Sequence, residues 1–162
     1  MRIRDATEAD LPVIVDIYNA TIPTRMVTAD LEPTTVDARV SWFREHTPDH
    51  HPFWILEIDQ EVAGWLSLQG FLPRCGYRGT AEVSVYVHEK FRRRGVARKL
   101  LEEAIGRAPA LEINAMVGFI FAHNEPSLKF FARLGFEQWG LLPRVAQLDG
   151  VERDLTIVGR HV

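Results

Sequence analysis

The sequence is short of cysteine, of long apolar runs and of net charge, and each shortage excludes something. One cysteine, Cys75, stands among 162 residues, so no disulfide can form within the chain and a reducing compartment is its simplest home. No stretch approaches the roughly 20 consecutive apolar residues that a membrane-spanning helix needs, and Met1 to Asp5 lacks the apolar run of a signal peptide. A cytoplasmic protein with no membrane partner is therefore expected. Positive charge is not in excess: 19 Lys and Arg face 22 Asp and Glu, for a formal net charge of −3. That balance gives no bulk attraction to nucleic acid, and an anionic ligand would need a local site. His46, Asp49, His50 and His51 fit no zinc spacing, and Pro48 and Pro52 break any helix that could align them, so they read as a polar loop and no metal is expected. Repeats, linkers and low-complexity segments are also missing, and residues 1–162 read as one domain.

What is present is patterned. Leu11, Ile14, Val15 and Tyr18 recur at helical spacing after Thr7 and Asp10. Thr21 to Pro33 carries two prolines and no period, and long loops of this kind are often functional. A helix is expected from Thr35 to about Glu45, with Val36, Val40 and Phe43 on its apolar side, then strands at Phe53–Ile58 and Val62–Leu68. After an irregular stretch from Gly70 to Gly79, residues 82 to 88 alternate: Val83, Val85 and Val87 face one way, Glu82, Ser84, Tyr86 and His88 the other. A helix from Val96 to Arg107 would bury Ala97, Leu100, Leu101, Ala104 and Ile105. Ile113–Ala122 reads as a strand. Asn124 and Gly135 bracket a helix, and Phe136–Leu142 and Leu155–Val158 close the chain as strands. Phe119, Phe121, Phe130 and Phe131 read as core, and Trp42, Trp54 and Trp65 as buried faces. The order predicts a mixed α/β sheet with helices on its faces.

The feature richest in chemistry is Arg92-Arg93-Arg94-Gly95-Val96-Ala97, placed after a strand and before a helix. The first turn of a helix has unpartnered N–H groups and the positive end of the dipole, so a pyrophosphate there gains hydrogen bonds and a favourable field. Gly95 admits the ligand close to the backbone and Ala97 keeps the next turn small. The same residues would also serve as a solvated basic helix start. With one glycine and no Gly-Lys-Ser/Thr ending, the turn is neither a Walker loop nor a dinucleotide fingerprint.

Arg92-x-x-Gly95-x-Ala97 resembles the pyrophosphate motif of the GNAT superfamily of N-acetyltransferases, and Asn124-x-x-Ser127 and Leu134-Gly135-Phe136 resemble its closing motif. Ile17-Tyr18-Asn19 and Tyr77 to Val87 are similar to the phosphinothricin and methionine sulfoximine acetyltransferase branch. The resemblance spans nearly the whole chain. It implies a single-domain α/β GNAT fold, with a mixed, mostly antiparallel central sheet and helices on both faces. It also implies acetyl-CoA as co-substrate, a small amino-acid-like amine as acceptor, and a homodimer.

In the chemistry this implies, Arg92, Arg93, Arg94, Gly95, Val96 and Ala97 hold the pyrophosphate, while Val85, Tyr86 and Val87 pair with the pantetheine arm. Asn124 and Ser127 bind the coenzyme, cap their helix, or do both. Transfer is direct, without an acyl-enzyme on Cys75. An ammonium substrate must first lose a proton; Glu82, on the polar face, is expected to take it, or to serve only as a counter-charge that also binds substrate. Arg74 and Arg78, in the segment where the branch holds a substrate carboxylate, are the expected carboxylate binders. The sequence departs from the pattern at Phe131, where an acid is usual; Tyr86 and His123 are the available replacements. A peptide or protein N-terminal acetyltransferase and a non-catalytic acyl-CoA sensor are the competing readings.

Overall fold

Seven strands build one sheet in the computed structural model, which describes residues 1–162. They are β1 (Arg2–Asp5), β2 (Phe53–Ile58), β3 (Glu61–Gly70), β4 (Thr80–Val87), β5 (Ala115–Phe121), β6 (Glu137–Leu148) and β7 (Val151–His161). They lie in the order β1-β2-β3-β4-β5-β7-β6, and every neighbouring pair is antiparallel except β4 with β5. The parallel pair needs a crossover, supplied by α3 (Val96–Arg107). The other helices are α1 (Leu11–Asn19), α2 (Val36–Arg44) and α4 (Glu125–Arg133). None is long and apolar enough to cross a membrane.

The sheet is covered on both sides, which explains why β2 reads as an unbroken apolar run. Trp54, Leu56 and Ile58 join Leu100, Leu101 and Ala104 of α3 and Phe131 of α4 in one cluster. Phe53 and Ile55, together with Trp65 of β3, join Ile14 and Ile17 of α1 in the other, with Trp42 and Phe43 of α2 packed against it. The first turn is fixed by Asp10, which accepts from the Thr7 backbone N–H (2.8 Å) and hydroxyl (3.0 Å) while pairing with Arg4.

Three expectations need correction. In α3, Val96 is fully buried and Ala97 is not, because the helix axis turns Ala97 toward an open cleft. Phe119 is partly exposed on β5 and only Phe121 and Phe131 are buried core; alternation in β5 places Phe119 opposite its buried neighbours. The closing strands run well past Leu142 and begin well before Leu155, meeting at a two-residue turn of Asp149 (φ 52°) and Gly150 (φ 80°). Their ladder is interrupted by an irregularity between Leu142 and Ala146, around Pro143, where Arg144 (φ 51°) donates its N–H to Asp154 Oδ1 at 2.8 Å. A proline is tolerated there because β6 is an edge strand.

Candidate active site

The parallel pair does not stay paired. Thr80, Ala81 and Glu82 register with Ala115, Met116 and Val117, and there the β4–β5 ladder ends. Beyond it, β4 follows β3 to Val87 and β5 follows β7 to Phe121. The two strands splay, so Val83 to Val87 present one backbone edge to a cleft instead of to a neighbouring strand. Val83, Ser84, Val85, Tyr86, Gly118 and Ile120 line this cleft, with Asn124, Ser127 and Phe131 from the α4 side. Phe131 is buried edge-on between Phe130 and Phe136, with ring centroids 5.4 and 5.0 Å away. It is a wall of the wedge and not a proton donor.

At the far end of β4, a tight 3-10 turn (Glu89–Phe91) leads to Arg93 (φ 62°) and Gly95 (φ 79°), and α3 begins. The first helical bond runs from Lys99 N–H to the Gly95 carbonyl at 3.0 Å, so the amides of Val96, Ala97 and Arg98 precede it and are free to donate outward. A Cβ on Gly95 would meet nothing within 4 Å; its glycine is required by φ, and open space lies above it. Gly64 of β3 is required by closeness instead, since a Cβ there would sit 2.7 Å from the Tyr86 carbonyl oxygen and 2.9 Å from Val96 Cγ1. That glycine lets the start of α3 pack down onto β3 beside the end of β4. The open cleft, about 360 Å³, is lined by Arg92, Arg93, Gly95, Val96 and Ala97, and also by Arg98, Phe130 and Arg133. Four guanidinium groups border it, one of them, that of Arg98, paired with Glu102 at 2.7 Å, and the remaining positive field is suited to a polyanion. Arg94 is not part of the lining; its guanidinium lies 5.4 Å from the ring centre of Phe91, which is. Arg98 and Arg133 went unrecognised in the sequence; Arg133 lies on a different helix, and nothing local marks it.

Glu82 is half-buried on the opposite face of β4 from Val83. Its Oε2 accepts from Gln69 Nε2 at 3.1 Å, and Gln69 Oε1 accepts from the Trp42 indole at 3.3 Å. Burial raises the Glu82 carboxyl above the ordinary range, and the Gln69 donor offsets part of that rise. Beside it is a second cavity of about 140 Å³, lined by Ile14, Tyr18, Trp42, Trp65, Gln69, Ser84 and Tyr86, with Arg39 as its one cation. The Arg39 guanidinium carbon lies 4.7 Å from the Tyr18 ring centre and 5.1 Å from that of Trp42. Ser84 and Tyr86 border both this cavity and the β4–β5 cleft, so a group in one can reach a group in the other. Burial holds the Tyr86 phenol protonated, well above its usual value.

The segment between α1 and α2 covers this junction. Tyr18 hydrogen-bonds Thr28 (2.7 Å) and donates to Asp30. Asn19 donates to the Thr34 carbonyl (2.9 Å) and accepts from its N–H (3.0 Å). From the other side, His123 Nε2 meets the Arg25 carbonyl at 2.9 Å, Asn124 Nδ2 donates to the Met26 carbonyl at 2.9 Å, and Val27 reaches the cleft. Asn124 thus has both amide atoms engaged, since its Oδ1 accepts from Ser127 N–H at 3.3 Å as the α4 cap. His123 lies outside the cleft lining, whereas Tyr86 is within it. Arg78 is exposed and paired with Glu112 at 3.1 Å, and Arg74 is exposed with no side-chain bond. Neither lines the cavities beside Glu82, where Arg39 stands instead. Cys75 is exposed on the same segment. Two of the three loop histidines bond backbone: His46 Nδ1 contacts the Trp42 carbonyl (3.0 Å) and His50 Nδ1 the Leu111 carbonyl (2.7 Å), whereas His51 Nε2 is buried with no partner.

The chain belongs to a known family and resembles its members over nearly its whole length. Residues 14–136 match the acetyltransferase (GNAT) family. A Bacillus subtilis (strain 168) protein with the provisional name phosphinothricin acetyltransferase is 47% identical over 163 residues, covering 100% of this chain and 99% of its own. An L-methionine sulfoximine/L-methionine sulfone acetyltransferase of Pseudomonas aeruginosa is 36% identical over 157 residues, covering 96% of this chain and 91% of its own. Among solved structures, a phosphinothricin acetyltransferase from Sinorhizobium meliloti in complex with acetyl-CoA superimposes with a TM-score of 0.91 at 28% identity, over 99% of this chain and 88% of that one.

Proposed function

We propose, because the chain belongs to the GNAT family of acetyltransferases, that it transfers acetyl from acetyl-CoA directly to the amine of a small amino-acid-like substrate. The observation that carries this reading is the splayed β4–β5 cleft, which joins an arginine-lined anion site at one end to a half-buried glutamate at the other. The residues fit the co-substrate: a free strand edge suits the amide-bearing arm, and the Arg92–Ala97 turn with Arg98 and Arg133 suits its phosphates. The names of the relatives support the acceptor class, phosphinothricin and methionine sulfoximine both being amino-acid analogues.

Glu82 takes a proton from the acceptor ammonium, directly or through a water, and the freed amine attacks the thioester carbonyl. Backbone N–H groups on the open edge of β4, those of Val85 and Val87, polarise that carbonyl. The N–C bond forms and the C–S bond breaks. A thiol with a pKa of about 8.5 departs as thiolate with little acid help, so Phe131 is no obstacle. Tyr86, which borders both cavities, is better placed than His123 to return a proton, although its burial makes the phenol a weaker acid. The second cavity, aromatic with Arg39 at its wall, receives the acceptor side chain. Arg74 and Arg78 remain the proposed carboxylate binders, a role that requires both side chains to turn inward from their exposed positions. A cytoplasmic homodimer completes the reading; exposed apolar residues on β6 support the second copy.

The test is thiol release from acetyl-CoA across amino acids, L-methionine sulfone and sulfoximine, polyamines and short peptides. Turnover of the sulfone or sulfoximine is expected. Coenzyme binding without turnover on any amine would leave only the sensor reading. A preference for peptides would favour N-terminal acetylation, against which the bonded cover over residues 20–35 stands.

A further inference from the structure

We infer that Gln69 is a positioning residue for Glu82, its amide locked in one orientation by the Trp42 indole so that one carboxylate oxygen is held and the other is left free to receive the acceptor's proton. The inference rests on Glu82 being the proton acceptor of the proposed reaction. An amide oxygen and nitrogen are nearly the same shape, and only hydrogen-bond partners fix which is which. Here both partners are unambiguous. The indole Nε1–H can only donate, so the amide atom 3.3 Å from it is Oε1. The ionised carboxylate can only accept, so the atom 3.1 Å from Glu82 Oε2 is Nε2. Flipping the amide would set donor against donor at Trp42 and oxygen against oxygen at Glu82.

The consequence is directional. Gln69 and Glu82 stand opposite each other on β3 and β4, so the donor grips Glu82 from the side of the sheet neighbour. Oε1 of Glu82 has no hydrogen-bond partner, and Glu82 lines the cleft where the amine must approach. Around it, the groups able to compete are few. Tyr86 of β4 is held neutral by burial, Tyr18 of α1 is likewise raised, and Arg39 of α2 stands across the second cavity beside Asp30, 3.4 Å away. The lining that β5, α4 and the covering segment bring to the cleft carries no charge. Gln69 is therefore the one side chain that both orients the carboxylate and favours its ionised form.

Two measurements on the full chain test this. In a ¹³C NMR titration of labelled glutamate carboxyls, assigned with Glu82→Gln, Gln69→Leu raises the Glu82 midpoint by about half a pH unit. Trp42→Phe keeps an aromatic ring but removes the indole N–H and so frees the amide, and moves the midpoint in the same direction by less. With acetyl-CoA and L-methionine sulfone, Gln69→Leu loses about threefold in kcat/KM on the acid side, with the loss shrinking toward high pH. A Glu82 midpoint unmoved in both variants, or a loss equal at all pH values, would overturn the positioning role. An acid limb that survives Glu82→Gln would instead sink the base assignment, while the NMR midpoint still decides whether Gln69 holds the carboxylate.

Discussion

Residue 95 separates two roles that a glycine can have. Its φ of 79° is the left-handed region, where a side chain adds strain of roughly 1–2 kcal/mol, but no atom crowds it. Gly95→Ala should therefore lower stability by about 1 kcal/mol in urea denaturation and weaken acetyl-CoA binding only as far as the turn shifts. Gly95→Glu adds a charge in the arginine-lined cleft, and calorimetry should show at least a tenfold weaker coenzyme, about 1.4 kcal/mol, with similar folding stability to the alanine variant. Equal affinities in the two variants would argue that phosphates bind elsewhere. Phe131 is the converse case. Its chemistry could be read in the sequence as a missing acid, and its packing between Phe130 and Phe136 makes it an apolar wall of the cleft.

At the scale of elements, legibility followed the reach of the interactions. Helices α1 to α4 and strands β2 to β5 could be read because their hydrophobic periods and caps are local, as with Asn124 and Ser127. The ends of β6 and β7 could not, because Pro143 and the bulge around Arg144 break the alternation while the Asp149–Gly150 turn restores pairing; weighing that Asp-Gly pair as a hairpin signal would have found them. In the site, the Arg92–Ala97 turn and Glu82 were legible as one continuous segment, whereas Arg39, Gln69 and Arg133 come from separate elements and meet only in the fold. The N-terminal elements show the same cross-element logic. Arg4 of β1 meets both oxygens of Asp10 at 2.9 Å and Glu57 of β2 at 2.9 Å. The Arg4 bond holds the Asp10 carboxyl below its usual range. A depressed folded pKa contributes stability above the unfolded value, and that stability is lost as pH falls through the folded one. Asp10→Asn should thus cost about 1 kcal/mol at pH 7. The gap from wild type should begin to close below about pH 4, measured by urea denaturation at pH 7, 5 and 3. A gap that stays constant with pH would mean the loss is one of shape and not of charge.

For the whole molecule, the sheet has two unlike edges. β1 is four residues long, and such brevity protects an edge. β6 is twelve residues long and almost wholly exposed, with Trp139 at 42%, Leu141 at 47% and Val145 at 57% of their full exposure, and Val151 of β7 beside them. A long apolar edge left open invites association, and a symmetric dimer is the commonest closed way to cover it. The cover also bears on the site, because the same hairpin carries Asp149, which pairs at 2.7 Å with Arg25 in the segment lying over the cleft. Burying β6 against a second copy would steady that hairpin and, through it, the cover. Leu141→Lys together with Val145→Glu should convert a dimer to a monomer in sedimentation velocity, since burying unpaired charge on an apolar interface is costly. The monomer should keep the far-UV spectrum of the parent and show a higher KM for the acceptor than for acetyl-CoA relative to the parent, because the loosened cover adjoins the acceptor cavity and not the arginine cleft. A parent chain that sediments as a monomer, or a double variant that remains a dimer, would remove β6 from the assembly.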